Sequence, residues 1–323
     1  MIKSICLVLA AVLSVSAYSM NAVPVSAAGI TAEDVPLSAA NPVSGKAFYP
    51  ASFNDSSAIS GNLGKIDASN IGQGYVLAEY TGASSKAALL YIIKGSEKFA
   101  FPLDSKGGAC VYTLTWGDGS YKLQILQQVS GNNYAVGLST DVSLNLGGSY
   151  APFLCPSQIV RYGASSEAVD QAATLCEGSG SDLEKVTAVV KYVMDNIRYD
   201  YPKADSTVGG NFNDFIPDVD QTLELKKGIC FDYSALVACM LRSQGIPTQL
   251  VVGYAGNGGG SKVYHAWNEI YINGKGTILV GFSVNGDSWD LMDTTFLASG
   301  KSNLKAVIKI VQDDKNYQPQ YIF

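Results

Sequence analysis

From Tyr75 onward the apolar residues recur at two different periods. The first set alternates: "YVLAEYTG", "KAALLYIIKG", "KFAFPLD", "ACVYTLTW", "YKLQILQQVSG" and "NYAVGLSTDVSLNL" are short runs rich in β-branched and aromatic residues, each closed by turn residues. Asp118 and Gly119 in "TWGDGSYKL" predict a tight hairpin turn, and "VSGNNYAV" predicts a second. Even strand spacing of this kind predicts an antiparallel β-sandwich-like domain, assigned to residues 73–156. The aromatic residues within it, Trp116 among them, read as packing rather than binding residues.

After "YAPFLCPSQIVRYG" the period lengthens to that of helices. "SSEAVDQAATLCEG" predicts a helix ending at Gly178. A second follows in "SDLEKVTAVVKYVMDNIRYD", where Ser181 and Glu184 have capping-box spacing and Leu183, Val186, Val190, Val193 and Ile197 repeat on one side. The Gly-, Asn-, Asp- and Pro-rich stretch from Asp200 to Gly228 reads as a loop with at most a short helical turn. Beyond it, Leu236, Val237, Met240 and Leu241 predict a helix that Gly245 and Pro247 stop. Strands return in "VYHAWNEIYI", "GTILVGFSV" and "SWDLMDTTF", separated by turns at "NGKG" and "NGDS". Residues 157–323 are thus expected to form a second, α+β domain.

The amino terminus has a separate logic. Lys3, an apolar run from Ile5 to about Ala17, and small residues at Val25, Ser26 and Ala27 read as a secretory signal peptide over residues 1–27. Residues 28–72 lack clear periodicity and read as an exposed lead segment with one strand near "GKAFY". The mature protein is expected outside the cell, secreted or held at its surface, with no membrane insertion. Without Lys3 the chain has 21 basic against 28 acidic residues, which argues against a nucleic-acid partner. Five cysteines remain, Cys110, Cys155, Cys176, Cys230 and Cys239, so at least one stays unpaired in an oxidising compartment. Cys155 and Cys176, which flank the domain junction, are one pair that could be joined.

Candidate chemistry gathers at three residues. Cys230 opens the last predicted helix, where free N–H groups and the helix dipole favour a thiolate over a thiol. Gly228 just before it would let backbone approach a substrate. A thiolate needs a proton carrier, and His265 is the single histidine of the chain. Strand alternation puts it on one face with Trp267, Glu269 and Tyr271. Asp293, at the end of a later strand, could fix the imidazole's tautomer and stabilise its charged form. Each residue alone has a bland alternative: a buried thiol such as Cys239, a structural histidine, an aspartate opening a turn. The order cysteine at a helix start, histidine on a strand, aspartate on a later strand is far more specific.

"GICFDYSALVACMLRSQGIPTQLVVGY" followed by "HAWNEIYI" and "WDLMDTT" resembles the core of the transglutaminase-like superfamily, a papain-related cysteine-enzyme fold, over roughly Ser157 to Leu297. The resemblance implies a catalytic triad of Cys230, His265 and Asp293. Where the family commonly has proline after its aspartate, Thr294 stands here. The implied chemistry is an acyl-enzyme formed on Cys230 from a peptide or glutamine carboxamide. Three outcomes remain open: hydrolysis of protein, peptide or cell-wall peptide bonds, which is preferred; transglutaminase crosslinking; and a silent core in a binding or structural protein. For the oxyanion, the Cys230 N–H is one donor, and Asn213 or Trp267 could supply another. No cofactor is called for, and with one histidine and no paired CxxC a closed zinc site would need distant ligands. The "GYAGNGGGSK" stretch follows a strand instead of opening a helix, so it reads as a mobile loop beside the site and not as a phosphate cradle.

Overall fold

The structure is a computed structural model that describes residues 47–105, 107–147, 150–207, 215–256, 262–279 and 282–323. The predicted signal peptide, Asn213 and the centre of the glycine-rich stretch lie outside these residues. The described chain separates into two compact units, residues 50–152 and residues 47–49 with 153–323.

The smaller unit is two four-stranded antiparallel sheets. Its strands are β1 (Ile59–Gly61), β2 (Gly64–Asp67), β3 (Tyr75–Tyr80), β4 (Ala88–Lys94), β5 (Glu97–Leu103), β6 (Cys110–Thr113), β7 (Gly119–Ser130) and β8 (Asn133–Leu144), ordered β1-β2-β3-β6 and β5-β4-β7-β8. The alternation read from sequence does the sorting. Ala88, Leu90 and Ile92 of β4 are buried, as are Tyr121, Leu123 and Ile125 of β7.

Three local expectations change. The turn at "VSGNNYAV" does join a hairpin, β7 to β8, through Gly131 at φ 51°. The turn at Asp118 does not: β6 and β7 belong to different sheets, so this connection crosses between them. Asp118 instead accepts from the N–H groups of Leu146 and Gly147 at 2.6 and 3.1 Å, tying the crossing to the chain after β8. The lead segment is not uniformly exposed, because β2 pairs with β3 and buries Ile66 and Asp67. Strands of three and four residues are too short to show a period. The described part of "GKAFY", Ala47–Tyr49, forms no strand.

The larger unit packs helices on an antiparallel sheet, the α+β arrangement expected. Its helices are α1 (Glu167–Cys176), α2 (Asp182–Asn196), α3 (Tyr201–Thr207), α4 (Val219–Leu225), α5 (Cys230–Ser243), α6 (Thr294–Ser299) and α7 (Leu304–Val311). Its strands are β9 (Arg198–Tyr199), β10 (Lys227–Gly228), β11 (Thr248–Gly256), β12 (Lys262–Ile272), β13 (Gly276–Leu279), β14 (Phe282–Val284), β15 (Ser288–Met292) and β16 (Tyr317–Ile322). The main sheet runs β15-β12-β11-β16, while β9 pairs with β10 in parallel and β13 with β14. "GTILVGFSV" is therefore two short paired strands instead of one.

Helix α5 is the centre of this unit, buried from Cys230 to Arg242. Asn268 of β12 pins it to the sheet, donating to the Ser234 carbonyl at 2.9 Å. Caps explain the helices that sequence reading blurred. Ser181 caps α2 by accepting from the Glu184 N–H at 3.3 Å, but Glu184 returns its bond to the Gly180 N–H, one residue earlier than a capping box requires. The supposed loop before Cys230 holds α3 and α4, begun by Asp200 and Asp218, whose carboxylates accept from the N–H groups of Lys203 and Gln221. Asp residues that read as loop composition are acting as N-caps.

Candidate active site

Cys230 is the first residue of α5, so its position follows from how that helix starts. The preceding Ile229 has no side chain able to cap. The N–H of Ile229 instead donates to Asp232 Oδ2 at 2.8 Å, and Lys203 from α3 donates to both Asp232 oxygens at 2.7 and 2.8 Å. The Asp232 side chain is almost wholly buried, and its charge is met by this lysine. Gly228 makes room for it: a Cβ there would lie 2.6 Å from the Asp232 Cβ. The glycine thus serves helix packing, which is a different reason from the close substrate approach expected of it.

His265 stands on β12 opposite Gly253 of β11 and is 2% exposed. Its Nε2 lies 2.8 Å from Asp293 Oδ2. The imidazole lies nearly parallel to the Phe296 ring, centroids 4.5 Å apart, which fixes its plane. Burial pushes the imidazole toward neutrality, but the charges of Asp293 and Cys230 outweigh it and hold its pKa up at about 10. Nδ1, the other ring nitrogen, completes no hydrogen bond of ordinary geometry, although Cys230 acts on the ring through both charge and hydrogen bonding. One ring nitrogen is committed to the carboxylate and the other is unspent.

Asp293 is fully buried and sits between β15 and α6. It is the N-cap of α6, with Oδ1 accepting from the Phe296 N–H at 2.9 Å. The bland reading, an aspartate that opens a turn, and the reading as the imidazole's partner are both true of the same side chain, one oxygen to each. Thr294 occupies the first helical position, where proline is favoured but not required. The local turn is a capped helix start.

Of the oxyanion candidates, Trp267 is 1% exposed and packs in a cluster with Val251, Ala255 and Tyr317. Its indole nitrogen draws down the pKa of Glu269, which burial raises to about 6. No hydrogen bond of ordinary geometry engages that nitrogen. Three contributors to the site were not singled out from sequence: Lys203, Phe296 and Tyr317, whose hydroxyl donates to Asp293 Oδ2 at 2.9 Å. Asp232, three places after Ile229, has the spacing of a capping-box acid, which could have been read. Tyr317, in the tail "NYQPQYIF", carried no signal.

The described cysteines form no disulfide with one another. This corrects the pairing of Cys155 with Cys176. Burial pushes the Cys155 thiol up to about 12 against the pull of Arg242, and Cys176 closes α1 as a buried residue. Among the described residues no group of His, Cys, Asp and Glu could hold a metal ion.

Residues 170–293 match the family model described as the transglutaminase-like superfamily. The chain is 34% identical over 122 residues to Uncharacterized protein YebA of Bacillus subtilis (strain 168), covering 33% of this chain and 16% of that one. It is 36% identical over 59 residues to UPF0252 protein MJ1282 of Methanocaldococcus jannaschii, covering 18% of this chain and 17% of the other. The matched segments thus span about a sixth of the length of these relatives. Among solved structures, a candidate cysteine protease from Cytophaga hutchinsonii aligns over 82% of this chain and 83% of its own, at 13% identity and TM-score 0.38. A candidate protease from Parabacteroides distasonis aligns over 58% and 36%, at 16% identity and TM-score 0.28. Residues 170–293, the segment that holds Cys230, His265 and Asp293, belong to the transglutaminase-like superfamily.

Proposed function

We propose that this protein is an exported thiol enzyme that opens carboxamide bonds of peptides through an acyl-enzyme on Cys230, with water as the acceptor. The observation that carries the reading is the division of labour on His265: Nε2 is bonded to buried Asp293, while Nδ1 is free beside Cys230. An imidazolium next to the sulfur favours the thiolate by charge. The sulfur attacks the carbonyl carbon and forms the C–S bond. As the C–N bond breaks, the Nδ1 proton passes to the departing amine. The neutral imidazole then takes a proton from water, whose oxygen attacks the thioester; the C–S bond breaks, releasing the acid and restoring the thiolate beside the imidazolium. Asp293 stays ionised throughout and holds the ring's orientation. Export rests on the signal-like first 27 residues. No helix among the described residues is long and apolar enough to cross a membrane.

The test begins with iodoacetamide at neutral pH on the wild type, Cys230→Ala and Cys239→Ala. Loss of the fast-reacting thiol in Cys230→Ala alone is expected, and a Cys230 no faster than an ordinary exposed thiol would sink the reading. A glutamine peptide, with and without a labelled primary amine, then decides the acceptor. Cleavage or deamidation without amine incorporation is expected, and incorporation would replace hydrolysis by transamidation.

A further inference from the structure

Asp293 carries one bond that the proposed reaction does not use. The Tyr317 hydroxyl donates to Oδ2 at 2.9 Å, and that same oxygen receives His265 Nε2 at 2.8 Å. Oδ1 is already engaged by the Phe296 N–H. Tyr317 is itself held from several sides. It pairs with Ala255 in the β11 to β16 ladder, its ring meets the Trp267 ring edge-on at 5.0 Å, and it is 7% exposed. The ladder slips between Val252 and Gly253, and a Cβ on Gly253 would lie 2.2 Å from the Gln318 carbonyl oxygen. A glycine opposite His265 is thus what lets β16 come close enough to deliver the hydroxyl. Burial, and then the charge of Asp293, keep that hydroxyl protonated well beyond the ordinary tyrosine range. It remains a donor at any working pH.

Two donors on one carboxylate oxygen compete for the same negative charge. We propose that Tyr317 is a positioning residue: it shares Asp293 Oδ2 with His265, aims that oxygen at Nε2, and limits how firmly the carboxylate holds the imidazole's proton. The groups that face the imidazole are Asp293 ahead of α6, Cys230 from α5 and the uncharged Phe296 ring, with Glu269 farther along the same face of β12. Neither Cys230 nor Glu269 offers a donor that could weaken the hold of Asp293, and the tyrosine hydroxyl does. Its catalytic meaning rests on the thiol-enzyme reading, because an imidazolium held too tightly is a poor proton donor to a leaving amine.

The single histidine makes the test direct, since its ring protons can be followed by NMR titration in the full chain without any substrate. Tyr317→Phe removes the competing donor and is expected to raise the His265 pKa by about half a unit or more. Replacing Tyr317 by 3-fluorotyrosine, a more acidic phenol and a stronger donor, is expected to lower it. Opposite shifts support the proposal. No shift, or shifts of one sign in both, overturns it, even where Tyr317→Phe lowers the melting temperature. If Tyr317→Phe does not fold, the fluorinated protein decides alone. Iodoacetamide reactivity of Cys230, measured on the same samples, keeps the two ideas apart. A moving histidine beside an inert cysteine would retain the positioning role and discard the thiol chemistry, and a fast cysteine beside an unmoved histidine would do the reverse.

Discussion

The two ends of helix α5 carry a cysteine each, and burial alone does not tell them apart. Cys230 is 9% exposed and Cys239 is fully buried. The surroundings differ in kind. At the amino end the sulfur lies beside an imidazole paired with a carboxylate, on a helix start held by the Asp232 to Lys203 ion pair. At the carboxyl end, burial and then the charge of Asp220 push the Cys239 thiol far above its ordinary range, and Arg242 only partly opposes them. That arginine is spent on structure: it donates to the carbonyl oxygens of Thr248, Cys155 and Phe323 at 2.8, 3.0 and 2.8 Å. A cation near a thiol does not activate it when the cation is saturated by carbonyls and the site is sealed. What distinguishes Cys230 is a partner that can change its own protonation.

The comparison breaks most visibly if the amino end is altered without unfolding it. Asp293→Asn keeps an oxygen that can accept from the Phe296 N–H, so the α6 cap should survive. It removes the negative charge that holds the His265 proton. Turnover should fall by about 10³-fold or more, by analogy with other triads, and Cys230 alkylation near neutral pH should slow. Cys239→Ala, at the sealed end, should leave both rates unchanged. Equal loss in the two variants would mean that the ends are not functionally different.

The next effect in size belongs to the carboxyl end. Arg242→Met keeps much of the buried volume but deprives three buried carbonyls of their donor. The cost should be about 3 kcal/mol or more, read as a lower urea midpoint. Alkylation of Cys230 in the folded fraction should stay as fast as in the wild type. A variant of wild-type stability would show that Arg242 is not what closes this end.

The same contrast explains what could be read from the sequence. Cys230, His265 and Asp293 were legible because each falls at a place that local pattern marks: a helix start, an alternating strand, a strand end. Helices α3 and α4 were obscured because their aspartate caps, Asp200 and Asp218, lie among glycines, prolines and asparagines that also compose loops. The change of sheet between β6 and β7 leaves no local mark, since a turn residue such as Asp118 suits a hairpin and a crossing equally. Arg242 and Tyr317 were illegible for a further reason. Their partners lie far away in sequence, at Cys155, Phe323 and Asp293, and only the folded chain brings them together. Pattern reports which face is buried; it does not report which distant polar group waits there.

The last effect is a pH dependence that the two ends show in different windows. His265 is raised from 6.5 to about 10 in the folded protein, because the charges of Asp293 and Cys230 outweigh burial. A raised pKa means that the folded state binds the extra proton between these two values. The stabilisation is therefore complete below pH 6.5 and is lost as the pH rises toward 10. Urea melts of the wild type and His265→Gln across that window should converge as the pH rises. Cys239→Ala should keep the wild-type slope below about pH 8, because the raised Cys239 thiol adds its own loss of stability only as the pH passes its ordinary value of 9.0. A gap between wild type and His265→Gln that stayed constant with pH would mean that the imidazole carries no additional proton in the fold. The unspent Nδ1 would then be an acceptor instead of a donor, and His265 would have to begin the reaction as a base, taking the proton from Cys230 before the sulfur could attack.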